Sequence, residues 1–147
     1  MNTTDSIIVK GDFQIDVYEN GKHVETIVEN NLVITLGKTD VARLIGGHAS
    51  GKKIDTIGVG TGSAAAAVTD TTLMGAFTKA VDSVTYPDAQ SVMFHFDIDN
   101  SEANGMDIWE FGLLNTDGVL FSRKVRGAAI VKTNLIRLVG TWKININ

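Results

Sequence analysis

Apolar and polar residues alternate through "DFQIDVYENGKHVETIV" on both sides of Asn20-Gly21, the preferred dipeptide of a two-residue type I′ hairpin turn. The pattern predicts a hairpin over residues 13–28. With Glu19 opposite Lys22, the register sets Val17 against Val24, Ile15 against Thr26 and Phe13 against Val28, which gathers the apolar side chains on one face. The same register sets Asp16 across from Glu25 on a solvated outer face. In the following stretch, "NNLVITLGKTDVARLIGG", the alternation gives way to helical spacing. Ile34, Val41, Leu44 and Ile45 share one side of a helix over about 34–45, and Gly46-Gly47 provides its stop. Gly37 inside that helix lowers its intrinsic stability by roughly 1 kcal/mol relative to Ala.

From Lys53 onward the pattern returns to strands: "KIDTIGVG", "FTKAVDSVTY", "QSVMFHFDI", "DIWEFGLL", "VLFSRKV" and "NLIRLVGTWKINI". Hairpin, helix and six further strand segments, mostly joined by Asn/Asp/Gly turns, predict a mainly β fold. The expected architecture is an antiparallel β-sandwich of about seven to nine strands with one short helix. The whole chain, 1–147, reads as one domain whose sandwich core spans 53–146, with no internal repeat and no linker. No run approaches the ~20 apolar residues of a membrane span, and the N-terminus has no leader pattern, so the expectation is a protein made in the cytoplasm that does not enter membranes. With no cysteine in the chain, neither a disulfide framework nor a thiolate metal site is available.

Charge is divided along the chain. Residues 1–117 hold all 17 acidic residues and 7 of the 13 basic ones, whereas residues 118–147 hold 6 basic residues and no acidic one. Ala80 to Ser122 carries eight acids and neither Lys nor Arg. A pI near 5.2 argues against a nucleic-acid partner, because such domains are usually basic over a whole face. Two arrangements remain. The terminal bases neutralise the acids within one sheet, or Arg123, Lys124 and Arg126 face the acids of a neighbouring subunit in a head-to-tail contact, with apolar strands such as "LIRLVGTWKINI" supplying most of the affinity.

Patterns that carry chemistry are few. "DTIGVGTGSAAAAVTDTTL" places Gly58, Gly60 and Gly62 at alternate positions, yet no long helix and parallel strand follow, and the Walker spacing is absent. The glycines therefore release the strand into a small-residue loop, expected to be mobile in a free subunit, with Asp70 capping a single helical turn at Thr71–Met74. His23, His48 and His95 lack zinc-site spacing. "DIDNSEANGMDIWE" resembles a calcium loop only at Asp97, Asp99 and Ser101, having Glu102 where glycine belongs and Ile108 where the bidentate glutamate belongs. No serine nucleophile elbow is present. No enzyme, cofactor or metal centre is read from the chain. In "IWEFGLL" both faces are largely apolar, as in a strand covered on two sides, so Glu110 either pairs with Arg123 or Arg126 or reaches solvent at the sheet margin. Gly112 permits close approach or a bulge, and Asp117-Gly118 turns the chain into the next strand.

Taken in order, "NLVITLGKTDVARLIGG", "IDTIGVGTGSAAAAVTDTTL" and "NGMDIWEFGLLNTDGVLFSRKV" resemble small tail-associated structural proteins and tail-fibre modules of bacteriophages. In these, an N-L-(I/V) stretch leads into a short helix, a G-x-G strand runs into a T-D-x-x-L loop, and an E-x-G-L strand precedes an arginine-bearing one. The resemblance covers residues 30–147. It implies a non-catalytic virion component, in tail, baseplate, collar or fibre attachment, assembled in the host cytoplasm as a homo-oligomer, trimer or ring, beside other virion proteins. A carbohydrate- or receptor-binding β-sandwich is the alternative, with Tyr86 as its best-placed loop aromatic.

Overall fold

Nine strands and one helix follow one another in the order β1 (Val9–Glu19), β2 (Lys22–Val33), α1 (Thr35–Ile45), β3 (Ile54–Gly60), β4 (Phe77–Ala80), β5 (Ser83–Thr85), β6 (Ser91–Ile98), β7 (Asp107–Asn115), β8 (Leu120–Val131) and β9 (Ile136–Ile146). The computed structural model describes residues 6–147; the opening "MNTTD" of the leader reading lies outside them. All pairings are antiparallel, in the spatial order β4-β3-β7-β8-β2-β1-β9-β6-β5. The sheet is curled so far that its two edge strands, β4 and β5, are separated by two residues only. Val81 N–H still donates to Asp55 O at the β3 side, and Asp82 N–H donates to His95 O at the β6 side. The segment "FTKAVDSVTY" is thus one extended run that changes partners in its middle. The fold is mainly β, as the pattern predicts, and on the side away from that run its two halves pair where Leu32 and Val33 of β2 meet Arg123 and Ser122 of β8.

Curling places the inner faces of the two halves against each other around Phe13. Its ring lies 4.9 Å from Phe111 of β7 and 5.0 Å from Trp142 of β9, the latter edge-on. Such offset and edge contacts are the favoured aromatic geometries. Leu138, Trp142 and Ile144 of β9 are buried here, and β9 pairs along its whole length with β1 and from Leu138 to Asn145 with β6. The middle of this strand is therefore internal, and Ile146 at its end is exposed.

The hairpin differs from its expected register. Asn20 and Gly21 have φ of 52° and 76°, the two positive values of a type I′ turn, and Glu19 pairs with Lys22 and Tyr18 with His23. Beyond that, a bulge at Val24 shifts the pairing, so Val17 faces Glu25, Asp16 faces Thr26 and Ile15 faces Ile27. A one-residue slip exchanges the faces of everything that follows. Ile27 is accordingly buried at 6% exposure, while Val24 and Val28 are 54% and 68% exposed. Asp16 escapes its like-charged neighbour and accepts a hydrogen bond from Thr26 Oγ1 at 2.6 Å.

Helix α1 ends as expected at Gly46, with Gly47 in the left-handed region at φ 68°. Its buried positions are Gly37 and Asp40, whereas Leu44 and Ile45 of the expected apolar face are exposed. Gly37 sets the packing: a Cβ there would overlap the carbonyl oxygen of Phe121 and lie 3.0 Å from its carbon. The helix backbone rests directly on β8.

Candidate functional site

The alternate glycines of β3 acquire their reason from residues far away in sequence. Glu110 projects from the outer face of β7, and its carboxylate lies over the end of β3. A Cβ at Gly62 would overlap Glu110 Oε2, and one at Gly60 would come within 2.6 Å of Oε1. Gly58 pairs with Gly112, and Leu73 of the following loop lies across both, its Cδ1 2.7 Å and 3.0 Å from where their Cβ atoms would be. Gly112 thus serves close approach. The irregularities of the β7–β8 pairing lie elsewhere, at Ile108/Glu110 and Leu113/Leu114.

Glu110 is 1% exposed and Arg123, from β8, 5%. Arg123 donates from Nη2 and Nε to Glu110 Oε2 at 2.8 and 3.2 Å, and from Nη1 to Asp70 Oδ2 at 2.8 Å. The other carboxylate oxygen of Glu110 accepts the N–H of Met74 at 2.6 Å, and Asp70 accepts the N–H of Ala67 at 2.9 Å. Asp70 caps no helical turn, because residues 71–73 are not helical; it closes the turn at Ala67 instead. Its pKa is held below the ordinary carboxylate range, chiefly by the Ala67 N–H and further by Arg123, against an opposing effect of burial. The loop between β3 and β4 is therefore fastened at Asp70, Leu73 and Met74, where the sequence suggests free motion. Both oxygens of Glu110, Oδ2 of Asp70 and all three guanidinium nitrogens of Arg123 are directed at another part of the clamp, an arrangement that holds loop backbone to the sheet.

Five of the six terminal bases lie against carboxylates of the same chain. Besides Arg123, Lys124 lies 2.9 Å from Glu29, Arg126 3.9 Å from Glu25, Arg137 bonds Asp97, and Lys143 lies 3.8 Å from Asp88. Lys124 and Arg126 thus line the seam where β8 and β2 diverge past Leu32. Arg126 is not the partner of Glu110. The division of charge along the chain is closed within one subunit at all three of the expected contact residues.

The acidic loop resembling a calcium site is served by lysines. Lys79 Nζ donates to Asp97 O at 2.7 Å and to Glu102 Oε1 at 2.8 Å, and Asp99 Oδ1 accepts from Ser101. Lys132 is fully buried, its ammonium donating to Asn104 Oδ1 and Thr133 O. Burial pushes its pKa down, with Asp99 and Glu102 opposing. Below that depressed pKa the lysine is charged in both states, and folding bears the cost of burying the charge. As pH rises through it, the folded form releases its proton first, so stability climbs until the ordinary lysine pKa is reached. Lys132→Met is expected to raise stability on the order of 1 kcal/mol at neutral pH and to remove the alkaline climb. Urea denaturation across the alkaline range checks this, and parallel profiles for the two proteins would refute it.

The three histidines make separate local contacts. His23 Nε2 lies 2.8 Å from Thr26 and 3.1 Å from Asp16, His95 Nε2 lies 2.7 Å from Thr85 Oγ1, and His48 Nδ1 accepts the Ser50 N–H. Among the described residues no group of three or more His, Cys, Asp or Glu side chains is placed to hold a metal ion, and no helix is long and apolar enough to cross a membrane. No protein-family model, curated protein or solved structure matches the chain. Sequence reasoning found Glu110, Arg123 and Gly112; it missed Asp70 and Leu73 as anchors, whose signal is the T-D-x-x-L pattern in an otherwise featureless loop.

Proposed function

We propose that this chain is a non-catalytic structural subunit of a bacteriophage particle, in the tail or its attachments, used in multiple copies. One observation carries the reading: the residues that make up the resembling motifs, Gly58, Gly60, Gly62, Asp70, Leu73, Glu110, Gly112 and Arg123, converge on a single fastening of a loop to a sheet. A motif set used in this way preserves a shape, and a shape is what a particle component contributes. The glycan- or receptor-binding reading rests on Tyr86 alone, 75% exposed beside Pro87, since Trp142 is buried and Trp109 half-buried.

The test is mass spectrometry of tailed particles banded on a density gradient from cultures that produce the chain, combined with immunogold labelling. The chain is expected in several copies per particle, with gold at the tail. Its absence from banded particles would overturn the reading, and selective binding on a glycan array would favour the alternative.

A further inference from the structure

The open end of the β7–β8 hairpin holds an amine that no ion pair occupies. Lys132 directly follows β8 and has no solvent exposure, and no carboxylate lies within ion-pair distance of it among the described residues. Its backbone is tied to the residues leading into β7, with Lys132 N–H donating to Met106 O and Gly105 N–H to Lys132 O, each at 2.9 Å. The side chain turns to the same segment. Nζ donates to Asn104 Oδ1 and to Thr133 O, both at 2.9 Å. Asn104 is fixed as well. It stands between Ala103 and Gly105, at φ 53° and 88°, a left-handed conformation uncommon for alanine, and its Nδ2 donates to Asn100 O at 3.0 Å. An unpaired amine and a carboxamide are thus held against each other by the fold.

We infer that Lys132 and Asn104 become joined by an amide bond that the folded chain forms by itself. The Lys132 amine attacks Cγ of Asn104, the Nζ–Cγ bond forms, the Cγ–Nδ2 bond breaks, and Nδ2 leaves as ammonia carrying one proton from Nζ. No oxidant, reductant or further reactant is consumed. The carboxamide carbon lies one C=O bond beyond Oδ1, so an amine 2.9 Å from that oxygen is roughly 3–4 Å from Cγ, overlapping the ~3–3.5 Å of a near-attack arrangement. Asn104 is exposed, so the ammonia escapes to water. The competing attack on Cγ, by the Gly105 backbone nitrogen, is opposed because that N–H is engaged by Lys132 O.

Burial pushes the Lys132 pKa down, with Asp99 and Glu102 opposing, which raises the fraction of neutral, nucleophilic amine. Glu102 is suited to pass the proton from Nζ to Nδ2. Its Oε1 accepts from Lys79 Nζ and the Asp99 N–H, while Oε2 makes no hydrogen bond among the described residues. Asp99 Oδ1 is engaged by Ser101, whose side-chain hydrogen bond chiefly holds the Asp99 carboxyl below the ordinary carboxylate range. The bond closes a ring through the whole β7–β8 hairpin, which carries both Glu110 and Arg123 of the loop clamp. In a chain without cysteine it restricts the unfolded state as a disulfide does. The alkaline climb in stability at Lys132 belongs to the unlinked chain, since the linked form has no amine to titrate, and mass tells the two forms apart. The bond is independent of any place in a particle.

Mass spectrometry of the full chain, intact and after trypsin digestion, provides the test. The folded wild type is expected to fall about 17 Da below its sequence mass, the loss of one ammonia, and digestion to yield a joined peptide pair with no cleavage after Lys132. Lys132→Met and Asn104→Ala are each expected to keep the full mass of their sequence. Glu102→Gln, with an unchanged circular dichroism spectrum, is expected to link on the order of 100-fold more slowly in freshly made protein. A folded wild type at its full sequence mass would overturn the bond. So would an ammonia loss that persists in Lys132→Met, since that marks a cyclic imide at an Asn-Gly pair. Linkage in Glu102→Gln at the wild-type rate would overturn the proton path through Glu102.

Discussion

Arg123→Met is expected to lower the free energy of unfolding by about 3–5 kcal/mol, the range for removing one partner of a buried ion pair. The cause is what remains rather than what is lost. Glu110 would stay at 1% exposure with the Met74 N–H as its one remaining hydrogen-bond partner, and a carboxylate so placed must be desolvated without a counter-charge. Asp70 would also lose a partner, but its carboxylate has some access to water and keeps the Ala67 N–H. The double variant Glu110→Met with Arg123→Met removes both charges, leaving chiefly the Met74 N–H without an acceptor, worth about 1–3 kcal/mol. The double variant should therefore be more stable than Arg123→Met alone, and their coupling should stand well above the ~0.5 kcal/mol of independent sites. Urea denaturation of the four proteins measures this. A loss below about 1 kcal/mol in Arg123→Met would show that the pair is solvated. Limited proteolysis gives a second reading, because without Arg123 the loop should be cut near Ala64–Ala67 before the sheet is.

The same geometry changes what a charge reversal at the terminal bases would report. From sequence, Arg123, Lys124 and Arg126 form one basic group available to a neighbour. In the fold they alternate along β8: Arg123 turns to the outer face beneath the loop, while Lys124 and Arg126 line the seam against Glu29 and Glu25. Reversing all three would test folding before it tested association. Charge along a chain shows that opposite signs exist, and the fold decides whether they meet inside one subunit.

How far the fold was legible follows from how local each signal is. The Asn20-Gly21 turn is a dipeptide property and was readable, as were the helix and its glycine stop. The bulge at Val24 was not, because "HVETIV" offers Val24, Thr26 and Val28 on one face and Ile27 on the other, and only the packing of Ile27 against the core decides between them. The change of partners at Val81 and Asp82 leaves no trace in composition, since the backbone stays extended while its hydrogen bonds pass from β3 to β6. The glycines of β3 posed a question whose answer, Glu110 and Leu73, lies at distances along the chain that no periodicity reaches. The pairing of Glu110 with Arg123 was anticipated because a carboxylate in an apolar strand must find a cation or water, and the next strand offered the cation.

Gly37→Ala provides the second large effect, and its sign is opposite to what helix propensity implies. In a free helix the added methyl group stabilises by about 1 kcal/mol, through propensity and through a less flexible unfolded chain. In this fold the new Cβ would overlap Phe121 O and lie 3.0 and 3.2 Å from the carbon and Cα of the same residue. All three are backbone atoms of β8, so no rotamer change clears the space. The Phe121 carbonyl also accepts the Ile34 N–H at 3.2 Å at the start of the helix, and lifting the helix would break that bond. Overpacking of this kind typically costs 1–3 kcal/mol, and a backbone neighbour places it at the upper end, so a net loss of roughly 2 kcal/mol is expected. Gly46→Ala is the matched control. Gly46 lies at the other end of α1 with φ −87°, and its Cβ would meet only Ala42 O at an ordinary 3.8 Å. That substitution should be neutral or stabilise by up to about 1 kcal/mol. Urea midpoints of the two variants, compared at equal m-value, decide the matter: if Gly37→Ala is as stable as Gly46→Ala, the helix does not rest on the β8 backbone.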